Sequence, residues 1–182
     1  KAWCLTWWIN SAKKYLITGL FSNPNDILVH FWQSKAVAEP YENLTRGTVV
    51  MTLHGHKNSV RAVLVHKTRN VLQQEVSTLF SCSDDGFICH WDLNSGTIIK
   101  RIPYDQPSKS SKTFVYTMCK VSEKVLAAAG GDSHIKFFEI ASGKMLLDVK
   151  AHAFYVSNIL FSPSEKLLIS SSSENNVKGW HI

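Results

Sequence analysis

The chain has 182 residues, a hydrophobic fraction of 45%, and 20 Lys and Arg against 14 Asp and Glu, which leaves a net charge of +6. This length suits one medium-sized domain that buries roughly 70% of the surface of its unfolded chain. The charge forms no block of like sign and no apolar run reaches membrane-spanning length, so we expect neither a charged tail nor membrane insertion.

Short runs of β-branched and aromatic residues, bounded by Gly, Asn, Asp and Ser, recur along the chain and predict β-strands. No stretch carries a convincing helical period. The sequence therefore predicts an all-β fold of four antiparallel four-stranded units, the last of which lacks its fourth strand. In chain order the predicted strands are 2–9, 14–21, 27–32 and 47–55; 59–66, 77–83, 87–91 and 96–102; 112–120, 124–131, 134–138 and 143–149; and 155–162, 166–172 and 176–180.

One spacing recurs in all four units: an acidic residue precedes an aromatic residue by six positions. The pairs are Asp26/Trp32, Asp85/Trp91, Asp132/Phe138 and Glu174/Trp180. Self-similarity of this kind is the signature of repeat architectures. We assign a single partial domain to residues 1–182, with repeats at approximately 1–54, 55–103, 112–150 and 151–182.

Two segments interrupt the repeats. Residues 33–47 form a polar insertion in the first unit, and residues 104–112 form a loop rich in Pro, Ser and Lys between the second and third units. We expect both to be mobile loops that could carry a contact or regulation.

The second unit carries the most complete motif, with HGHKNSV at residues 54–60 followed by SCSDDGFICHWDL at residues 81–93. It resembles a Trp-Asp (WD) repeat of the WD40 type, with Gly55-His56 at its start and Trp91-Asp92 at its end. The other units resemble it more loosely, and the resemblance covers almost the whole chain. It implies a β-propeller, in which four-stranded sheets pack radially around a central channel.

Closure of the propeller is a separate expectation. Propellers have roughly 4–8 blades and the family usually has about seven, so four units would leave exposed sheet edges. We expect the chain to be part of a larger propeller, with the remaining blades from the same protein or from a partner chain. The alternative is a closed ring of four blades that takes one strand from elsewhere.

In the family, four polar side chains of one unit form a hydrogen-bonded tetrad that braces the turn. An aspartate in such a turn is partly buried and needs donors, which an imidazole N–H supplies, while an indole N–H donates within the same network. Carried over to the second unit, the tetrad is His56, Ser81 or Ser83, Asp85 and Trp91.

Two units depart from this pattern. Glu174 replaces the aspartate in the fourth unit, and Phe138 removes the indole donor from the third, which also has no matching histidine. We expect the second unit to be the most rigidly tied and the third to depend more on packing alone. His90 stands where the first and third units have Phe, and is either a satisfied core histidine or an exposed edge residue.

The residues of the tetrad also contain the chemistry of an enzyme site. Ser81, His56 and the turn aspartate are the residue types of a hydrolase triad, but the tetrad locks the imidazole inside a blade and no G-x-S-x-G elbow is present. Cys82, Cys89 and His90 could ligate zinc, yet strand alternation puts Cys89 and His90 on opposite faces. We predict a non-enzymatic protein without cofactor or metal, with a hydrolase or metal site as the alternative.

The resemblance implies a scaffold for protein–protein interactions within a multi-subunit assembly. Family members usually engage partners through the loops before the first strand and between the second and third strands. Because aromatic residues and Arg dominate interface hot spots, Phe154 and Tyr155 stand out. The alternative is that Tyr155 begins a buried strand and only Phe154 is exposed. The matching residues are Lys57, Asn58, Arg61, Asp84, Phe154, Tyr155 and Asn25.

An RNA-associated subunit with a basic surface is the second possible function. Lys57, Arg61, Lys67 and Arg69 cluster in one unit. Strand alternation spreads them over several faces, however, and single-strand binding needs aromatic residues among the basic ones. A steep fall in affinity with salt would favour nucleic acid, and salt-tolerant binding would favour a protein partner.

The cysteines indicate the compartment. None of Cys4, Cys82, Cys89 and Cys119 lies in a C-x-x-C pair, which favours free thiols in a reducing environment. We therefore expect an intracellular, cytoplasmic protein, with a nuclear or ciliary setting as the alternative.

Overall fold

The computed structural model describes residues 2–10, 13–20, 26–32, 48–69, 72–105 and 113–182, apart from the side chains of Ala2, Trp3, Asn10, Phe31 and Trp32. The predicted insertion at 33–47, most of the predicted loop at 104–112, and Asn25 lie outside these residues.

All regular structure in the described residues is β-strand, which confirms the predicted all-β class, and the strands form four antiparallel sheets in chain order. The first sheet is β1 (Ala2–Asn10), β2 (Lys13–Leu20), β3 (Ile27–Trp32) and β4 (Thr48–Leu53). The second is β5 (Val60–Arg69), β6 (Glu75–Ser83), β7 (Phe87–Asp92) and β8 (Ile98–Pro103). The third is β9 (Val115–Lys120), β10 (Val125–Gly130), β11 (His134–Glu139) and β12 (Met145–Lys150). The fourth is β13 (Val156–Ser162), β14 (Leu167–Ser172) and β15 (Asn176–His181).

The strands of each sheet follow one another in chain order, so neighbours in sequence are neighbours in space. The predicted turns after β7 and β11 each contain a glycine in the left-handed region, with φ of 72° at Gly96 and 75° at Gly143. A side chain would be strained there, which explains the glycine at both positions.

Consecutive sheets pack face to face through alternate residues of their strands. In β6, Phe80 and Cys82 face the third sheet, whereas Leu79 faces the first, and all three are fully buried. In β10, Leu126 faces the second sheet and Ala127 faces the fourth. The first strands of successive sheets also contact one another, β1 with β5, β5 with β9 and β9 with β13. This arrangement confirms the predicted β-propeller architecture.

The outer face of the fourth sheet is apolar and uncovered in the described residues. Leu160 and Val177 are each 65% exposed. In the second sheet the residues at the same register are Leu64 and Ile88, and both pack against the third sheet. The fourth sheet thus presents, without a covering layer, the same kind of face that the second sheet buries.

Candidate functional site

The second sheet contains a continuous chain of buried hydrogen bonds. His56 Nδ1 lies 3.0 Å from Asp85 Oδ2, and His56 Nε2 lies 2.7 Å from Ser81 Oγ. Because a carboxylate only accepts, Nδ1–H donates to Asp85, and Nε2 accepts the Ser81 hydroxyl proton. Trp91 Nε1 donates to Ser81 Oγ over 2.8 Å. Ser83 lies outside this chain and donates to the Asn58 carbonyl oxygen over 2.9 Å.

Asp85 is the hub that ties this chain to the surrounding loops. Its carboxylate also accepts from the backbone N–H of Lys57 (2.9 Å) and of Phe87 (3.1 Å), and from Arg101 Nη2 (2.9 Å). Burial alone would raise the pKa of Asp85, but the hydrogen bonds from His56 and the two backbone N–H groups hold it below its ordinary value. The carboxylate is therefore charged and fixes the loop before β5 to the turn after β6.

The fourth sheet repeats the same chain of hydrogen bonds with a glutamate in place of aspartate. His152 Nδ1 lies 2.6 Å from Glu174 Oε1, and His152 Nε2 lies 2.8 Å from Ser170 Oγ. Trp180 Nε1 donates to Ser170 Oγ over 2.9 Å. The longer side chain of Glu174 therefore performs the same role as the aspartate of the second sheet.

The third sheet is held by a different polar network. Lys136 is buried in the position that Cys89 occupies in the second sheet, and its Nζ donates to Asp132 (2.6 Å) and Asp105 (2.9 Å). The same Nζ lies 3.9 Å from the ring centroid of Tyr104, whose hydroxyl donates to Asp132 over 3.0 Å. The expectation that this sheet depends more on packing than the second sheet did not include this network, in which ion pairs take the place of the histidine.

The first sheet has a looser version of these contacts. His54 Nδ1 lies 2.9 Å from Asp26 Oδ1, with the His54 side chain 72% exposed. Thr18 Oγ1 lies 3.2 Å from His30 Nε2. The histidine that contacts the acidic residue of the turn is thus solvated here, whereas His56 and His152 are buried in the second and fourth sheets.

The Ser81–His56–Asp85 chain has the residue types of a hydrolytic triad but is closed to substrate. Ser81 is fully buried, and the His56 side chain has no exposed surface. The Ser81 oxygen also accepts the Trp91 indole proton, so it is engaged on both sides. A substrate could reach this hydroxyl only if the sheet opened, and the chain of hydrogen bonds is a structural brace.

The cysteines are also poorly suited to act as nucleophiles or metal ligands. Burial raises the pKa of Cys89 and of Cys119 to about 12, so both remain thiols at neutral pH. Cys89 packs toward the first sheet, while His90 stacks on Phe80 on the opposite face at 4.2 Å between ring centroids. No group of three His, Cys, Asp or Glu side chains that could hold a metal ion occurs among the described residues.

His90 is half-buried, which lies between the two alternatives that its sequence position suggested. Its Nε2 lies 2.9 Å from Thr78 Oγ1. Together with His66, which meets the Phe80 ring edge-on at 5.8 Å, it lines the seam between the second and third sheets.

We call the face that carries the loops before the first strands and the turns after the second strands the loop face. Lys57 and Asn58 are exposed on it, although the Asn58 side chain accepts the Ser59 N–H over 2.8 Å and so shapes its own loop. Arg61 forms a two-pronged ion pair with Asp84, with Nε donating to Oδ1 over 2.8 Å and Nη2 to Oδ2. The Arg61 side chain is 20% exposed and the Asp84 side chain 7%, so the guanidinium lies over the carboxylate.

Aromatic side chains dominate the loop face above the third and fourth sheets. Phe154 is 62% exposed and Tyr155 is 46% exposed, because β13 begins only at Val156. The Tyr155 ring meets Tyr116 edge-on at 5.6 Å, and Phe114, 47% exposed, lies beyond it at 6.4 Å from Tyr116. The alternative in which Tyr155 is buried in a strand therefore does not describe the structure.

Tyr116 and Ser157 are loop-face residues that the sequence analysis missed. Each first strand of the last three sheets contains a β-bulge, which adds one residue to the strand and re-aims its side chain. The added residues are Arg61, Tyr116 and Ser157, and with Tyr155 they line a groove of about 470 Å³, which we call the bulge groove. A bulge cannot be seen in an alternating pattern, so only the strand register reveals this set.

The basic residues of the second unit do not form one patch. Arg61 and Lys67 lie at opposite ends of β5, where six residues span roughly 20 Å. Arg61 pairs with Asp84, while Lys67 Nζ donates to Glu75 and to the Ile9 carbonyl oxygen, each at 2.8 Å. Their separation and their pairing disfavour a nucleic-acid surface built from these residues.

Comparisons with known proteins agree with this architecture. The family model described as "WD domain, G-beta repeat" matches residues 47–92 and 143–181. The WD repeat-containing protein 55 of Danio rerio is 27% identical over 119 residues, which cover 65% of this chain and 28% of that protein. The Pre-mRNA-processing factor 19 homolog 2 of Arabidopsis thaliana is 29% identical over 133 residues, which cover 72% of this chain and 23% of that protein.

A solved structure extends the likeness to the whole chain. The crystal structure of the computationally designed Ika4 protein superposes with a TM-score of 0.67 at 16% identity, and the match covers 100% of this chain and 91% of that one. This likeness concerns the fold alone. The chain spans only about a quarter of the length of the two curated relatives.

Proposed function

The chain carries WD-type repeats, and we propose that it is a non-catalytic scaffold of the WD-repeat family that binds other proteins through its loop face. Two exposed neighbouring aromatic residues carry the proposal. Phe154 and Tyr155 are 62% and 46% exposed and lie in the loop before β13, where the hydrogen bonds that brace the fold do not need their rings. Exposed aromatic residues beside an Arg have the composition of an interface hot spot.

The buried polar chemistry supports a non-catalytic role. The second and fourth sheets use their His, Ser and acidic residues in closed hydrogen-bond chains, and the third uses its lysine in buried ion pairs. These groups all take part in hydrogen bonds or ion pairs that brace the turns carrying the loops. A rigid support with exposed loops is the arrangement that binding proteins of many folds use.

We also propose that a further sheet of the same kind covers the outer face of the fourth sheet. Leu160 and Val177 are exposed there, whereas their counterparts in the second sheet, Leu64 and Ile88, pack against the third sheet. The chain should bind the dye 8-anilinonaphthalene sulfonate, and Leu160→Lys with Val177→Lys should reduce the fluorescence. Unchanged fluorescence in this double variant would contradict an apolar docking face.

A reducing, intracellular compartment is the setting we propose. All four cysteines are free, and three of them are buried. In the described residues no helix is both long and apolar enough to cross a membrane.

Affinity capture with the full chain, followed by mass spectrometry, tests the proposed function. Wild type should capture a defined set of proteins, and the Phe154→Ala/Tyr155→Ala variant should lose it. The matched control is Ile99→Ala, which removes a 52% exposed side chain from the outer strand β8 and should leave capture unchanged. Equal capture by all three chains would show that the loop face is not the interface.

Capture in rising salt separates the two candidate partner classes. Binding to a protein through aromatic contacts should persist at 0.5 M salt, whereas binding through phosphate contacts falls steeply with salt concentration. Loss of the captured material on nuclease treatment would favour the RNA-associated alternative.

A further inference from the structure

The bulge groove has a chemical character that narrows the partner class beyond an unspecified protein. Its lining in the described residues consists of Arg61, Tyr116, Tyr155 and Ser157, and none of these is acidic. The three bulge residues come from three successive first strands, so the groove crosses the boundaries between sheets. A set of side chains aimed at one place by the same backbone device is better suited to one recognised group than to a diffuse contact.

The charge that a ligand meets in the groove depends on which partner of the Arg61–Asp84 ion pair lines it. The Asp84 side chain is the more deeply buried partner, with 7% exposed against 20% for Arg61, and Arg61 rather than Asp84 lines the groove. A ligand approaching from the groove therefore meets the guanidinium first. A guanidinium carries five N–H donors, and the two-pronged pair with Asp84 uses two of them, one on Nε and one on Nη2.

The aromatic residues add a second requirement. The Arg61 guanidinium carbon lies 5.5 Å from the Tyr116 ring centroid, so a protein cation already occupies the position that a ligand cation would take over that ring. Burial raises the pKa of Tyr116, which keeps its hydroxyl a proton donor at neutral pH. Ser157 Oγ lies 3.1 Å from the Ser171 carbonyl oxygen and 2.9 Å from Ser171 Oγ, so its hydroxyl is engaged within the fourth sheet.

We propose that the bulge groove binds an acidic side chain of a protein partner, with the carboxylate on Arg61 and its stem between Tyr116 and Tyr155. The inference rests on the proposed function, since it specifies what the loop face recognises. Phe154, exposed beside the groove, provides a neighbouring apolar contact for the same segment. The expected ligand is therefore a peptide that carries Glu or Asp at a fixed distance from an apolar residue.

A random 12-residue peptide library displayed on phage, selected on the full chain, is the first test. Enriched peptides should share one acidic position and one apolar position. A synthetic peptide in which Gln replaces that Glu should bind about tenfold more weakly, which is the size of a charge-assisted hydrogen bond.

The variant pair Arg61→Gln/Asp84→Asn supplies the matched control, because it removes both charges of the ion pair together and leaves no unpaired buried carboxylate. It should bind the Glu and Gln peptides equally. If this variant does not fold, Arg61→Lys takes its place and should narrow the difference between the peptides, because lysine has fewer N–H donors to share between Asp84 and the ligand.

The outcomes distinguish the two proposals. Enriched peptides without an acidic position, or equal binding of the Glu and Gln peptides to wild type, would overturn the acidic-ligand inference and leave the scaffold function standing. If wild type enriches peptides no more than the Phe154→Ala/Tyr155→Ala variant does, the result would count against both the acidic-ligand inference and the scaffold function.

Discussion

The second and third sheets have the same four-stranded architecture but are braced by opposite kinds of polar chemistry. The second uses an imidazole between a carboxylate and a hydroxyl, with His56 linking Asp85 to Ser81. The third uses a buried ammonium between two carboxylates, with Lys136 linking Asp132 to Asp105. In both cases the bracing group donates hydrogen bonds to the buried carboxylate of the turn.

The comparison explains why the third sheet has lost several residues of the motif at once. Ala128 lies at the register position of Ser81, so an indole in place of Phe138 would find no acceptor. Lys136 instead occupies the space on this face, and Tyr104 supplies the second donor to Asp132. Burial alone would lower the pKa of Lys136, but its hydrogen bonds to Asp132 and Asp105 raise it above the ordinary value.

The largest effect is expected from Lys136→Met. This change leaves Asp132 and Asp105 without their buried cation, and breaking such a pair costs about 3–5 kcal/mol. Chemical denaturation should report this loss in the free energy of unfolding. The control Lys136→Met/Asp105→Asn/Asp132→Asn should recover most of it, and a loss below about 1 kcal/mol in the single variant would contradict the ion network.

Asp85→Ala should be the next largest change. It removes the acceptor for His56 and for two backbone N–H groups, and we expect a loss of about 1–3 kcal/mol from the free energy of unfolding. The matched control is Asp148→Ala, whose ion pair with His134 is about one-third exposed on both sides and is worth less than about 1 kcal/mol. Equal losses from the two variants would be evidence against a brace at Asp85.

Exchanging the aromatic residues Trp91 and Phe138 tests the comparison between the second and third sheets in both directions. Trp91→Phe removes the donor to Ser81 and should cost about 1 kcal/mol through the hydrogen bond. Phe138→Trp should also destabilise, since its indole N–H has no acceptor at Ala128, and Phe138→Trp/Ala128→Ser should recover part of that loss. A stabilising Phe138→Trp single variant would show that the register equivalence is wrong.

The last prediction concerns pH. Burial, together with the charges of His66 and Lys100, lowers the pKa of His90 to about 4, and burial with Lys120 lowers that of His66. The unfolded chain takes up these protons below about pH 6.5, whereas the folded chain resists them. The contribution of these two histidines to the free energy of unfolding is therefore fully present well above pH 6.5 and declines as the pH falls toward 4.

Thermal melts at pH 7.5, 6.0 and 5.0 measure this decline before the carboxylates titrate. His90→Phe, which introduces the residue type of Phe137 at the matching register position of the third sheet, should flatten the slope. An unchanged slope in this variant would exclude His90 as its source.

Much of the fold could be predicted from the sequence, because short alternating strands and the spacing of acidic and aromatic residues are local patterns. The positions of His56, Asp85 and Trp91 followed from the motif. The choice between Ser81 and Ser83 could not be made, since both lie on the same side of a strand and only pairing with Cys89 separates them.

Arg61 and Tyr155 of the bulge groove were candidates from the sequence, but Tyr116, Ser157 and the lysine network could not be predicted, because they depend on long-range geometry. An extra residue in a strand changes which face Tyr116 occupies, and nothing in the alternating pattern records it. Lys136 resembles an ordinary exposed strand residue in sequence, and one of its partners, Asp105, lies 31 positions away. An open end follows from the expectation that the chain is part of a larger propeller, but only the packing of the other sheets identifies Leu160 and Val177 on the outer face of the fourth sheet.

The division between bracing residues and binding residues is tested most directly by measuring melting temperature and peptide or partner binding on Asp85→Ala and Phe154→Ala side by side. Asp85→Ala should lower the melting temperature by several degrees and still bind when assayed well below it. Phe154→Ala should melt within about 1 °C of wild type and lose binding. The opposite ranking, with Phe154→Ala unstable and Asp85→Ala unable to bind while folded, would contradict the division.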